Sequence, residues 1–270
     1  GVGAVATQSY ANTTYGPRGL ELLAAGASAQ DTVEALVGAD DGRAQRQVGI
    51  VDALGRAATF TGDACLPWAG GVTGDHYAAQ GNILAGPGVV DAMAVAFETT
   101  QGDLATRLVT ALAAGQAAGG DARGRQSAAL LVVRAEGGYG GYNDRYIDLR
   151  VEDHPTPIVE LRRLLDMRHG QLAQASAGRA FREGRTEDAL AEADRATRLY
   201  PADANGWLLL AGARLARGDS AGAVAAGREA LVRDPWIKSA VVNGVYPVPV
   251  VERLLELEEF ARLWESIPVR

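Results

Sequence analysis

The chain has 270 residues, 47% hydrophobic and 22% charged, a composition that excludes a disordered polypeptide and allows one or two globular cores. Its formal net charge of −7 is unevenly placed: residues 1–153 hold 10 Arg against 17 Asp and Glu, net −7, whereas residues 154–270 are neutral. So acidic a first half repels a phosphate backbone, which argues against a nucleic-acid partner.

In chain order, residues 3–7 of the opening GVGAVAT read as a buried strand already in progress. There is no initiator Met and no signal-peptide pattern, so a segment ahead of it is expected to be missing or removed. Pro17 opens a helix through Leu20, Leu22 and Leu23, with Gly26 as its stop. Ser28 followed three positions later by Asp31 predicts a capped second helix, with Val33, Leu36 and Val37 as its apolar face. The runs 46–53 and 56–62 around Leu54-Gly55 signal a hairpin, and a further strand is predicted at 76–83. Helices are predicted at 88–99 and 103–117. SAALLVVR (127–134) reads as the most deeply buried strand and RYIDLRV (145–151) as its neighbour. Strands and helices thus alternate in blocks, which suits helices layered on antiparallel sheets better than a doubly wound parallel sheet.

The texture changes after residue 153. Pro155 and Pro157 start a connector helix over 154–170, with Ile158, Leu161, Leu164 and Leu165 on one face. A 34-residue period then appears: Gly184, Ala189, Ala196 and Pro201 recur as Gly218, Ala223, Ala230 and Pro235. Small residues let paired helices approach, glycine ends the first helix and proline the second, so 171–270 is expected to be a tetratricopeptide-like array with a degenerate last unit from about 237. Its inner groove would be lined by Gln171, Gln174, Gly178, Phe181 and Arg182, then Asn205, Leu208, Gly212, Leu215 and Ala216. The second set has almost no charge or hydrogen-bonding capacity. That favours packing or oligomer contacts over peptide reading, with a protein partner as the alternative.

Several chemistries are excluded. Lys238 is the single lysine, so a pyridoxal Schiff base, a Ser–Lys pair or a P-loop in the first half is ruled out. Cys65 is the single cysteine, leaving no intramolecular disulfide and no four-cysteine zinc site. His76, His154 and His169 lack metal-binding spacing, and neither metal nor cofactor is expected. No apolar run reaches the roughly 18 residues of a membrane span, and a cytoplasmic protein is expected.

Four segments hold more polar and glycine residues than folding requires. Thr7, Gln8 and Asn12 follow the first strand and would orient a substrate, or else satisfy turn bonds. Cys65, in GDACLPWAG, has no cationic or histidine neighbour in sequence and reads as packing more than as a nucleophile. Gln80 and Asn82 flank Gly81 at a strand end, where the Asn82 amide could donate to a developing oxyanion. In GGDARGRQS (119–127), Asp121 and Arg123 would pair to hold a loop. Arg123 or Gln126 would face a substrate carboxylate, and Ser127 lies at the substrate end.

Taken together, GVGAVATQ, YGPRGLELL, GDACLPWAG, AQGNILAG, GGDARGRQSAALLVV and NDRYIDLRVEDHPTPIVELRRLL resemble a bacterial family of unknown function over residues 1–166. Its fold is of the N-terminal-nucleophile (Ntn) hydrolase type. The resemblance implies an α+β fold, an αββα sandwich of two antiparallel sheets with helices outside. It also implies amide hydrolysis by a terminal Thr, Ser or Cys whose own α-amino group is the base. Gly1 has no such side chain, and members of that family carry a further segment ahead of this strand. The expected function is therefore amidohydrolysis of a small amide or peptide, with Asn82, Asp121, Arg123 and Ser127 around the reacting group. Thr7, Gln8, Asn12, Gln80 and Gln126 would bind substrate. The alternative is a non-catalytic scaffold that assembles, as a homo-oligomer or with a protein partner, through the repeats.

Overall fold

The computed structural model describes residues 1–234 and 236–267, Val242 and Val248 by their backbone alone. Two compact units divide the chain, residues 1–162 and 163–270.

In the first unit β1 (Gly3–Ser9), β2 (Arg46–Asp52) and β3 (Ala57–Thr61) form an antiparallel sheet in the order β1-β2-β3. Its register runs from Gly3 opposite Asp52 to Ser9 opposite Arg46. Alternation decides which side chains go where. Val48, Ile50 and Ala58 point to one face. There they close a core with Tyr15 and Leu23 of α1 (Tyr15–Ala24) and Val33 and Leu36 of α2 (Ala29–Gly38). Burying each large aliphatic side chain here contributes roughly 1.5–3 kcal/mol. α2 starts on the predicted capping box: the Asp31 amide donates to Ser28 Oγ at 3.1 Å and the Ser28 amide to Asp31 Oδ2 at 3.3 Å. The predicted turn between β2 and β3 uses Gly55 at φ 82°. Asp52 holds it by accepting from the amides of Leu54 (2.9 Å) and Arg56 (3.0 Å).

The opposite face of this sheet carries Gln47, Gly49, Thr59 and Thr61 and meets a second hairpin, β4 (Gly70–Gly74) and β5 (Tyr77–Gly81). The sequence pattern predicts one strand at 76–83; the structure has two, joined through Asp75-His76. β4 reads GGVTG, which has no period-two apolar signal. Its glycines serve close approach instead: a Cβ on Gly71 would lie 2.9 Å from Thr59 Oγ1. The hairpin's far face packs on α3 (Gly88–Thr99) and α4 (Leu104–Ala117), with Tyr77, Ala79, Phe97 and Ala111 buried together. The Tyr77 and Phe97 rings are 5.1 Å apart.

β6 (Ala128–Val133) and β7 (Arg145–Val151) pair with each other in a separate two-stranded sheet. This corrects one expectation. The strand predicted to be the most buried is buried on alternate residues only: Leu130 is 4% exposed, whereas Leu131 and Val133 are each 53% exposed. β6 has a single strand partner, and α4 covers only the Leu130 side.

α5 spans Pro157–Arg182. The second unit continues with α6 (Thr186–Leu199), α7 (Ala204–Ala216), α8 (Ser220–Arg233), α9 (Ile237–Val242), α10 (Val248–Leu255) and α11 (Glu258–Ser266). Leu208, Leu210, Ile237, Leu254 and Phe260 make its core. The 34-residue spacing marks equivalent places. Gly184 and Gly218 sit in left-handed conformation (φ 71° and 85°) just after α5 and α7. Ala189, Ala196, Ala223 and Ala230 are buried in α6 and α8. Pro201 follows α6, and Pro235 lies outside the described residues. The chain is thus a mixed α+β protein with small sheets and a C-terminal helical array.

Candidate functional site

Gln47 organises the strand ends from which the site is built. It is fully buried, and its Nε2 lies 2.9 Å from Thr61 Oγ1, 3.1 Å from the Gly70 carbonyl and 2.8 Å from the Gly81 carbonyl. Its Oε1 accepts from Asn82 Nδ2 at 3.4 Å. One amide thereby ties β2 to both strands of the second hairpin. Next to it, Gln8 Nε2 donates to the Gln80 carbonyl at 3.3 Å. The Gln80 side chain lies over Gly49, where a Cβ would come within 2.3 Å of its Oε1. That Oε1 is buried and has no hydrogen-bond partner among the described residues.

Downstream of β5 the chain pins the 119–127 loop. The Ala85 amide donates to the Gly120 carbonyl at 2.9 Å and the Ala122 amide to the Ile83 carbonyl at 2.8 Å. Gly119, Gly120 and Gly124 all adopt positive φ (122°, 62° and 117°), a backbone course that side-chain-bearing residues rarely follow. Asp121 holds the loop from within. It accepts from the Arg123 amide at 2.8 Å and from that guanidinium at 2.9 and 2.6 Å. The Arg123 side-chain hydrogen bond keeps the Asp121 carboxyl below the usual carboxylate range.

Loop, strand end and helices enclose an open cavity of about 780 Å³. Gln80, Asp121, Arg123, Gln126 and Ser127 all line it, so five of the sequence-predicted site residues come together. The other four do not line it. Thr7 Oγ1 donates to the Gln47 carbonyl, Gln8 supports the Gln80 backbone, and Asn82 is engaged with Gln47. Asn12 donates to Asp40 Oδ2 at 2.9 Å, within a cluster that includes Tyr15 and Arg46. Cys65 is buried, its Sγ 3.3 Å from the Arg46 carbonyl. Arg125 joins the cavity wall from the same loop, and Asp153, Pro157 and Ile158 join it because the chain beyond β7 returns alongside the loop. The His154 amide donates to the Gln126 carbonyl at 2.9 Å. His154 Nδ1 accepts from the Thr156 amide at 3.1 Å and lies 3.2 Å from Thr156 Oγ1. A hydroxyl beside an imidazole is the arrangement of an activated nucleophile. Here the ring lone pair is already taken by a backbone N–H at the start of α5, which leaves a structural turn.

Residues 1–161 match the model of a family of unknown function, DUF1028. The chain belongs to that family. The match spans the sheets, α1 to α4 and the whole cavity wall, and ends at the start of α5. A crystal structure of a DUF1028 protein from Silicibacter pomeroyi is 34% identical, with a TM-score of 0.55 over 61% of this chain and 69% of that one. No curated protein matches the chain.

The helical array lies outside the DUF1028 match. Its sequence-predicted groove positions are partly consumed by the unit's own packing. Gln174 bonds Asp203 and Asn205 at 3.0 Å each, Leu208 is fully buried, and a Cβ on Gly212 would meet Val250 of α10 at 2.9 Å. Among the described residues no helix is long and apolar enough to cross a membrane.

Proposed function

We propose that the DUF1028 region is an αββα domain of the Ntn-hydrolase type and hydrolyses a small amide or peptide held in the cavity beneath the Gly119–Ser127 loop. The layer order supports the fold reading: α1 and α2, then the β1-β2-β3 sheet, then the β4–β5 hairpin, then α3 and α4. The observation that carries the site is the meeting of Gln80, Asp121, Arg123, Gln126 and Ser127 on the wall of one cavity, under a loop whose three glycines take positive φ. In this reading the Gln80 Nε2 donates to the developing oxyanion, the role that the sequence pattern gives to Asn82, whose amide is engaged with Gln47. A terminal Thr, Ser or Cys adds to the substrate carbonyl, its own amine accepts the proton, the amine product leaves, and water cleaves the acyl-enzyme. Gly1 has no nucleophilic side chain, so the reading requires that residue on polypeptide ahead of it. Intact mass and N-terminal sequencing of the natural protein test this, together with amine release from a panel of small amides and dipeptides. A fresh Thr, Ser or Cys terminus and release that stops on its substitution are expected. A mature terminus at Gly1 with no companion fragment sinks the mechanism.

A second reading is favoured by one observation. Among the described residues no hydroxyl or thiol on the cavity wall contacts a base with a free lone pair. Non-catalytic binding is the function in that case, with the tetratricopeptide-like array making oligomer or protein contacts in the cytoplasm. Loss of self-association on truncation after Met167 supports it.

A further inference from the structure

The cavity wall carries four charges, and they are not equivalent. Asp121 and Arg123 neutralise each other through a bidentate pair at 2.9 and 2.6 Å. Arg125 and Asp153 are exposed, and among the described residues neither side chain makes an ion pair or hydrogen bond. Both line the same cavity. The β6–β7 register places Ala128 opposite Val151, and beyond the strand ends the His154 amide donates to the Gln126 carbonyl. Arg125 and Asp153 are the residues just before the two ends of that bond, on the wall of one cavity. Below them the wall turns apolar, with Leu84, Val89, Met93, Leu112 and Ile158.

We infer that this cavity selects a zwitterion, namely a short peptide with both ends free and an apolar body. Arg125 receives its carboxylate and Asp153 its ammonium. A guanidinium presents a planar fork of donors that matches a carboxylate in two places, and a carboxylate accepts from an ammonium without competing donors. The apolar wall takes the side chains. The two opposite charges also favour a ligand that bears both over one that bears a single charge, since each matched charge adds a charge-assisted hydrogen bond. This deepens the proposal for the same cavity and rests on it as the ligand site, but it does not depend on turnover.

The test is calorimetric titration of the full chain with leucyl-leucine, its N-acetyl derivative and its C-terminal amide. Each sample is also analysed by mass spectrometry for cleavage. The free dipeptide is expected to bind about tenfold more tightly than either blocked form. Asp153→Asn should remove the discrimination against N-acetylation and keep that against the amide; Arg125→Gln should do the reverse. Both side chains are exposed and without partners, so equal melting temperatures for the variants and the parent are expected, which separates binding loss from misfolding. Equal affinity for all three ligands, or no binding of any, overturns the inference. So does a loss in both variants that ignores which end is blocked. Discriminating binding without cleavage upholds the inference and counts against hydrolysis. Cleavage without discrimination upholds hydrolysis and overturns the inference.

Discussion

Gln47→Leu is expected to loosen the second hairpin more than any other part of the DUF1028 region. The Gln47 Nε2 has two hydrogens for three acceptors, Thr61 Oγ1 and the carbonyls of Gly70 and Gly81. Gly70 and Gly81 are register partners at one end of the hairpin. Leucine leaves these two part-buried carbonyls without their donor, at a cost of about 1–2 kcal/mol each. The extra apolar burial offsets about 1 kcal/mol of that. The net loss is about 2 kcal/mol, which accelerates amide exchange through local opening roughly 30-fold. Hydrogen exchange followed by mass spectrometry on peptides covering β4 and β5 reads this directly, with β6 and β7 peptides as the internal control. Gln47→Glu should be worse, because a buried carboxylate would face the same carbonyls as acceptor against acceptor. Exchange in β4 and β5 within about threefold of the parent for Gln47→Leu would refute the idea that one amide staples the layers.

Acid should weaken the β1–α1 corner through Asp40. Hydrogen bonds from Asn12 and Arg46 hold its carboxyl well below the 3.8 of an unperturbed aspartate, with the Gly42 amide and Tyr15 hydroxyl adding to them. A depressed folded value means stability that is complete above about pH 4 and lost as pH falls further. Urea midpoints should therefore drop more steeply below pH 4 in the parent than in Asp40→Asn, which starts about 1–2 kcal/mol lower at pH 7. Gly49→Ala is expected to leave the melting temperature nearly unchanged yet weaken dipeptide binding severalfold. Its Cβ would displace only the flexible end of Gln80, 2.3 Å away; unchanged affinity would mean that Gln80 has no part in the cavity. In the array, Gly227→Ala would drive a Cβ to 2.5 Å from the fully buried Phe260 ring. Overpacking should exceed the helix-propensity gain of about 1 kcal/mol and leave a net loss of about 1–2 kcal/mol, read by thermal unfolding.

Local rules made much of the fold readable in advance. The Ser28–Asp31 capping box, the Leu54-Gly55 turn and the glycine and alanine positions of the 34-residue recurrence each depend on residues close in sequence or repeated at fixed spacing, and each has its structural counterpart among the described residues. β4 escaped because its glycines encode proximity to Thr59 and not an apolar stripe. β6 misled because eight apolar-rich residues look the same whether one face is covered or both; only its single strand partner and the position of α4 decide.

The candidate site divides along the same line. Composition by itself determined what this domain does not use: with Lys238 the sole lysine and Cys65 the sole cysteine, lysine chemistry and cysteine clusters are excluded from its first half. The glycine-rich 119–127 segment was also visible as a loop, because positive-φ backbone favours glycine. Which side chains share the cavity was decided only by tertiary structure. Gln80 enters because β5 is stapled over Gly49, whereas Asn82, two residues on, turns to Gln47. Arg125 and Asp153 are 28 positions apart and line one cavity because β6 and β7 are antiparallel, which returns the chain beyond β7 to the loop before β6. Sharing a cavity is a property of distance in space, and a linear pattern contains no record of it.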